Sequence, residues 1–133
     1  MRRSTSALLT TIVIATLVAA AGCDLLAPKP EFTIHIDSVR APGAVSGGAA
    51  FEVLFFGPVG PNGCHRFKSF RTNRSSSDAD VTVVGQRVTG TCTQMPVYLS
   101  GEPLTIAPPV ADPFTLRVHQ PNGTVLTRTI RAE

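Results

Sequence analysis

Side chains able to do chemistry are few in this chain of 133 residues, and their spacing decides what they can do. Three cysteines stand at Cys23, Cys64 and Cys92, and three histidines at His35, His65 and His119. Cys64 adjoins His65, but no second cysteine–histidine pair matches it, so the spacing fits no zinc site. No metal or cofactor is expected. Nucleophile motifs are missing too: there is no Gly-x-Ser-x-Gly, no His-Glu-x-x-His and no glycine-rich phosphate loop. Ser75-Ser76-Ser77 reads as loop. The acidic side chains are too scattered to nominate a pair of carboxylates for glycoside chemistry. No catalytic residue is assigned, and the chain is expected not to be an enzyme.

The cysteines carry more information than the histidines. Met1-Arg2-Arg3 is a short basic start, and Ala7 to Gly22 is an apolar run that ends in Ala19-Ala20-Ala21-Gly22 directly before Cys23. A membrane-crossing helix needs about 20 apolar residues. This run is shorter, sits at the N-terminus and ends in small residues, so it reads as a processed signal over 1–22. Ala20-Ala21-Gly22-Cys23 resembles the lipobox of bacterial lipoproteins, with Ala20 where leucine is usual. The resemblance implies that the Cys23 thiol receives a diacylglycerol, that the leader is cut before it, and that the new N-terminus is acylated. Two or more acyl chains anchor a protein stably where one does so only marginally. The implied location is the bacterial cell envelope, on a membrane through lipid at Cys23, with inner or outer membrane left open.

With Cys23 assigned to lipid, Cys64 and Cys92 form an even pair in an oxidising compartment, and a disulfide is expected. It would close 29 residues (64 to 92 inclusive). Charge argues against nucleic acid. Lys and Arg number 12 against 9 acids, and loss of Arg2 and Arg3 with the leader brings 12 down to 10. A net charge near +1 lacks the strongly basic face that nucleic-acid binding demands.

One basic run does stand out. Arg66, Lys68, Arg71 and Arg74 interleave with Phe67 and Phe70. This spacing suits contact with a polyanion such as lipid head groups, lipopolysaccharide or an acidic partner. It equally suits a solvated strand whose charges discourage edge-to-edge pairing.

The elements that position these residues read as strands. After a tether over 23–30, in which Pro28 and Pro30 prevent helix, one domain is expected over 31–133. Phe32, Ile34 and Ile36 alternate with Thr33, His35 and Asp37, as in a half-buried strand. Ala41 to Gly48 reads as loop. Ala49 to Phe56 is almost continuously apolar and reads as a central strand covered on both faces. If Phe51, Val53 and Phe55 face the core, Leu54 and Phe56 either meet a second covering layer or form an exposed patch.

Gly57 to Gly63 is expected to be turn or loop, Cys64 to Arg71 a strand, Thr72 to Ala79 a loop, and Asp80 to Thr89 a strand with a bulge or tight turn at Gly85. Val97 to Leu99 and Leu104 to Ile106, interrupted by Gly101 and Pro103, read as short edge strands or a β-corner. Phe114 to His119 and Thr124 to Arg131 flank Pro121-Asn122-Gly123, the strongest hairpin signal in the chain.

Together these imply an all-β fold: a single antiparallel immunoglobulin-like β-sandwich of about seven strands after a cleaved N-terminal signal. It has no Trp for the core that antibody domains build. The expected role is a non-catalytic envelope module that binds a protein or surface polymer, its oligomeric state unassigned. The alternative is a protease-inhibitor-like module presenting the 57–63 loop, where Pro58 and Pro61 would limit the entropy lost on binding.

Overall fold

The structure is a computed structural model and describes residues 29–133. The expected signal, Cys23 and the tether as far as residue 28 lie outside the described residues. Those described form strands and connecting loops with no helix, and so none long and apolar enough to cross a membrane.

Nine strands are present among the described residues, where about seven were expected: β1 (Glu31–Thr33), β2 (Ser38–Arg40), β3 (Ala44–Val45), β4 (Phe51–Gly60), β5 (His65–Arg74), β6 (Asp78–Arg87), β7 (Val97–Ile106), β8 (Phe114–His119) and β9 (Val125–Ala132). The surplus comes from pieces of two or three residues at the start of the domain. They lie in two sheets. One runs β1-β6-β8-β9-β3, with β5 on the other edge of β6; the second runs β2-β4-β7. Most pairs are antiparallel, as expected, but β6–β8 and β3–β9 are parallel. Between the sheets sits one apolar core, whose largest fully buried members include Ile34, Ile36, Phe55, Phe114, Leu116 and Ile130.

The first strand shows how the layers are joined. Residues 32–37 keep the expected alternation, with Ile34 and Ile36 buried and His35 and Asp37 exposed. They do not form one continuous strand, because the chain leaves one sheet for the other. The Ile34 amide donates to Val83 O of β6 at 2.8 Å, and the Asp37 amide donates to Phe56 O of β4 at 2.9 Å. Between them, Ile36 lies outside either ladder. Gln120, buried at the end of β8, takes over: its Oε1 accepts from the Ile36 amide and its Nε2 donates to Ile36 O, both at 2.9 Å. The crossing segment passes so close to β4 that a Cβ on Gly57 would collide with the His35 carbonyl oxygen.

Several expectations are corrected here. Gly57 to Gly60 is the end of β4, not loop: Val59 is buried, and Pro58 and Gly60 pair with Tyr98 and Val97. The glycine at 57 serves close packing there, and only 61–64 turns. β4 is covered on one face and not both; Phe51, Val53 and Phe55 are buried while Leu54 and Phe56 are half-buried on the outer side.

The two runs around Gly101 form a single edge strand, β7. Val97 and Leu99 point inward at odd positions, whereas Leu104 and Ile106 do so at even ones. Gly101, at φ +104°, is the extra residue that changes the phase, since Ser100 and Glu102 pair with the adjacent Phe56 and Phe55. Likewise the bulge expected at Gly85 belongs to the facing strand. Lys68 is the unpaired residue between Phe67, opposite Gly85, and Ser69, opposite Val84. That shift lets Phe67 and Phe70 both pack inward, their rings 5.0 Å apart. β5 also runs on to Arg74, which shortens the expected 72–79 loop to 75–77.

The C-terminal hairpin matches its signal. β8 and β9 pair from Phe114–Ile130 to His119–Val125, and Gly123 holds φ +84° in the turn. Asn122 Oδ1 accepts from the Thr124 amide and hydroxyl. The Gln120 amide donates to Thr124 O and the Gly123 amide to Gln120 O, so the turn also fixes the residue that bridges the sheets.

Gln120→Leu keeps the side chain's size but strands the buried amide and carbonyl of Ile36. It is expected to cost about 3 kcal/mol of unfolding free energy, since each orphaned group costs roughly 1–3 kcal/mol. Urea denaturation measures this; a loss below about 0.5 kcal/mol, the scale of an ordinary surface change, would rule out the bridge as a major contributor.

Candidate functional site

The strands bring together charged groups that lie far apart in sequence. β6 and β8 run parallel with Asp80 opposite Arg117. Because side chains alternate, Asp78 and Asp80 share the outer face with Arg117 and His119. Arg117 binds Asp80 through two hydrogen bonds, Nε to Oδ1 and Nη2 to Oδ2, each 2.9 Å, and approaches Asp78 at 3.6 Å. His119 Nε2 lies 2.9 Å from the same Oδ1. Hydrogen bonds from Arg117 and then His119 hold the Asp80 carboxyl far below its ordinary value, and Asp80 in turn raises Arg117. A fork-to-fork guanidinium–carboxylate pair is the strongest form of surface ion pair.

A carboxylate beside an imidazole is also how many active sites orient a base. Thr72 and Thr82 line a shallow depression of about 340 Å³ with Asp80 and His119. Arg117 nevertheless occupies both oxygens of Asp80, so the carboxylate is committed to holding β6 against β8. Sequence reasoning missed this cluster. Its signal was the pair of alternations Asp78/Asp80 and Arg117/His119, but only the β6–β8 register joins them.

The four residues of the basic run do not form one free patch. Lys68 and Arg71 both bind Glu31 of β1, which reaches them across β6; the Arg71 contact is 3.3 Å. Lys68 is the first cause of the lowered pKa of Glu31. Arg74 donates to Pro109 O at 2.8 Å and lies over the Phe114 ring at 5.8 Å. Arg66 is exposed and makes no ion pair among the described residues.

The histidines are likewise dispersed. His35 pairs with Asp37 at 3.3 Å, His119 with Asp80, and His65 lies between Asn62 and Arg87. Among the described residues no group of three or more His, Cys, Asp or Glu side chains is placed to hold a metal ion.

Two depressions meet where β2 and β9 face each other at the open side of the sandwich. One, of about 500 Å³, is lined by Val39, Arg40, Pro42, Phe56, Arg128 and Ile130 among others. Arg40 stacks over the Phe56 ring at 5.4 Å and separates this groove from its neighbour along Ala50 to Leu54. Phe56 is therefore roofed in part by a cation, and Gly101 of β7 packs against Phe56 and Leu54 from the other side. The outer face of the smaller sheet is thus half-covered by its own residues.

Cys64 and Cys92 stand at disulfide distance, with α-carbons 5.3 Å apart. The bond ties the turn before β5 to the loop 88–96 between β6 and β7. Gly63 N to Thr93 O at 2.9 Å and Val88 N to Cys64 O at 2.8 Å join the same two segments. The segment expected to present a stiff inhibitory loop is therefore a four-residue turn pinned to its neighbour.

Set against protein-family models, characterised proteins and solved structures, the chain matches none.

Two outcomes follow from these contacts. Asp80 has a folded-state pKa below the unfolded value near 3.8, so its pairing stabilises the fold above that pH and is lost as pH falls through the lower folded value. Asp80→Asn should lower the melting temperature at pH 7, and the gap from the parent should narrow below pH 3.8; a gap that is constant with pH would show that the charge is not what matters. Paired Cys64→Ser and Cys92→Ser changes should cost about 3–4 kcal/mol in urea denaturation, the loop-closure value for this span.

Proposed function

We propose that this chain is a lipid-anchored protein of the bacterial cell envelope whose β-sandwich acts as a non-catalytic binding module. The observation that carries the reading is a conjunction. A leader that ends in Ala20-Ala21-Gly22-Cys23 precedes a domain whose remaining cysteines, Cys64 and Cys92, stand at disulfide distance. Disulfides persist in exported proteins, which agrees with a leader that directs export. Lys29 and Pro30 are exposed at one end of the sandwich, which leaves the chain free to run on toward Cys23 without crossing the core.

The groove between β2 and β9 supports the binding half of the proposal. It is lined by Arg128 and by Arg40, which stacks over the Phe56 ring, beside the apolar Val39 and Ile130, a composition suited to an anionic group carried on an apolar or sugar-like body. The sandwich is also read as immunoglobulin-like in outline. The β2-β4-β7 sheet and the β8–β9 hairpin with β3 on its edge support this, while the parallel β6–β8 pair departs from that pattern.

Intact mass of the protein purified from bacterial membranes tests the anchor. The expected species begins at Cys23 and carries acyl groups, and Cys23→Ala should leave the protein unacylated and released from the membrane by washing. A mature protein that starts elsewhere with an unmodified Cys23 would overturn the reading. Cross-linking in the intact envelope, with the Cys23→Ala chain as control, then identifies the partner.

A further inference from the structure

The two ends of the sandwich differ in charge and in exposed apolar groups. One end gathers Pro30, the 61–64 turn, the start of β5, the end of β6 and the loop 88–96. Its side chains are cationic: Lys29, Arg66, Lys68 and Arg87 lie here, all exposed. From Gly57 to Ser77 and again from Val81 to Gly101 the sequence contains no acidic residue. The acid at this end is Glu31, already bound by Lys68 and Arg71. The opposite end is mixed in charge: Asp78, Asp112 and Glu133 stand there with Arg74 and Arg131, and Arg131 pairs with Asp112 at 3.3 Å.

The cationic end also displays the most exposed large apolar side chains of the described residues, Met95 at 72% and Tyr98 at 62%. Tyr98 is the single tyrosine of the chain, and Met95 is its one methionine besides Met1. Both are held by rigid neighbours. Tyr98 is in β7 opposite Pro58, and Met95 follows the segment pinned by the Cys64–Cys92 bond and the Gly63–Thr93 hydrogen bond.

We infer that this end of the domain rests on an anionic bilayer surface, with Tyr98 and Met95 entering the interfacial layer and Lys29, Arg66 and Arg87 over the lipid phosphates. This rests on the lipid-anchor reading and adds the orientation to it. Chain length makes the case specific. Six residues, Asp24 to Lys29, separate Cys23 from Pro30, and the seven steps between the two span at most about 25 Å when fully extended. A ten-residue strand such as β4 is itself about 33 Å long. An acylated Cys23 therefore keeps the Pro30 end near the head groups and leaves the opposite end facing away. Charge agrees, because phosphate-rich surfaces attract cationic segments within a Debye length. Tyrosine is suited to the boundary, where its ring is buried and its hydroxyl stays wet.

The chain has no tryptophan, so a single introduced indole reports its own position. The full chain carrying Tyr98→Trp is produced in bacteria, purified from membranes, checked by intact mass, and reconstituted into phosphatidylethanolamine–phosphatidylglycerol vesicles with and without brominated phospholipid. A second chain carries Ala111→Trp at the opposite end. The expected result is a blue-shifted emission from the Tyr98→Trp chain that loses most of its intensity to the brominated lipid, while the Ala111→Trp chain loses little. Acylated protein in which the two variants are quenched alike, or neither is quenched, would overturn the orientation and leave the anchor intact. Protein with an unmodified Cys23 would overturn the anchor reading and this inference with it.

Discussion

The structure depends on one pair of hydrogen bonds, those exchanged between the side-chain amide of Gln120 and the backbone of Ile36. A sandwich whose first strand serves both sheets must carry its backbone across the gap between them, and the crossing residues lose their ladder partners in the middle of an apolar core. An unpaired peptide group costs most there. A primary amide has one donor side and one acceptor side in a plane, as a neighbouring strand would have, so a single glutamine stands in for the missing strand. No described buried side-chain nitrogen or oxygen is left without a partner. Much else follows from the crossing: Gly57 lacks a side chain because the crossing backbone occupies that space, and the Asn122-Gly123 turn holds Gln120 in place by closing backbone bonds on it.

Sequence legibility follows the same physics. The β8–β9 hairpin was readable because its alternation and its turn are local. Residues 32–37 were readable as inward and outward faces, since alternation survives a change of sheet, but the change itself was not, because its partner is 84 residues away. Bulges hid the rest. Val97/Leu99 and Leu104/Ile106 look like two strands because their phases disagree, and a single glycine with positive φ reconciles them. Phe67 and Phe70 cannot both face inward on a regular strand; the unpaired Lys68 between them makes it so. Gly57 and Gly60 read as turn residues because glycine is required both where a chain bends and where two chains touch, and composition does not separate the cases.

The charged residues illustrate what pairing conceals. Arg66 to Arg74 looks like a basic surface in sequence, yet Glu31, 37 residues before Lys68, pairs with two of its members from the far side of β6 and offsets one of their charges. Asp80, Arg117 and His119 likewise become a cluster only through the parallel β6–β8 register. Local sequence thus overstates free charge where strands later supply counter-ions. It understates free charge where several cationic residues from separate strands meet at one end, as Arg66, Arg87 and Lys29 do.

The two ends of the sandwich are closed by different means, and the difference explains where the disulfide lies. At the end of mixed charge backbone bonds suffice: Val110 N to Gly47 O, Ala111 N to Ser76 O, Thr115 N to Ser77 O and Glu133 N to Val45 O knit the loops together, with Val110 buried beneath them. At the cationic end the loop 88–96 has no buried residue. It has little apolar area with which to offset the entropy of being ordered. A covalent bond from Cys92 to Cys64 reduces that entropy cost in the unfolded chain instead. The end from which the chain departs toward Cys23 is therefore the covalently braced one. The bracing thus orders the loop while leaving Met95 exposed, since a loop held by its own hydrophobic burial would have drawn that side chain inward.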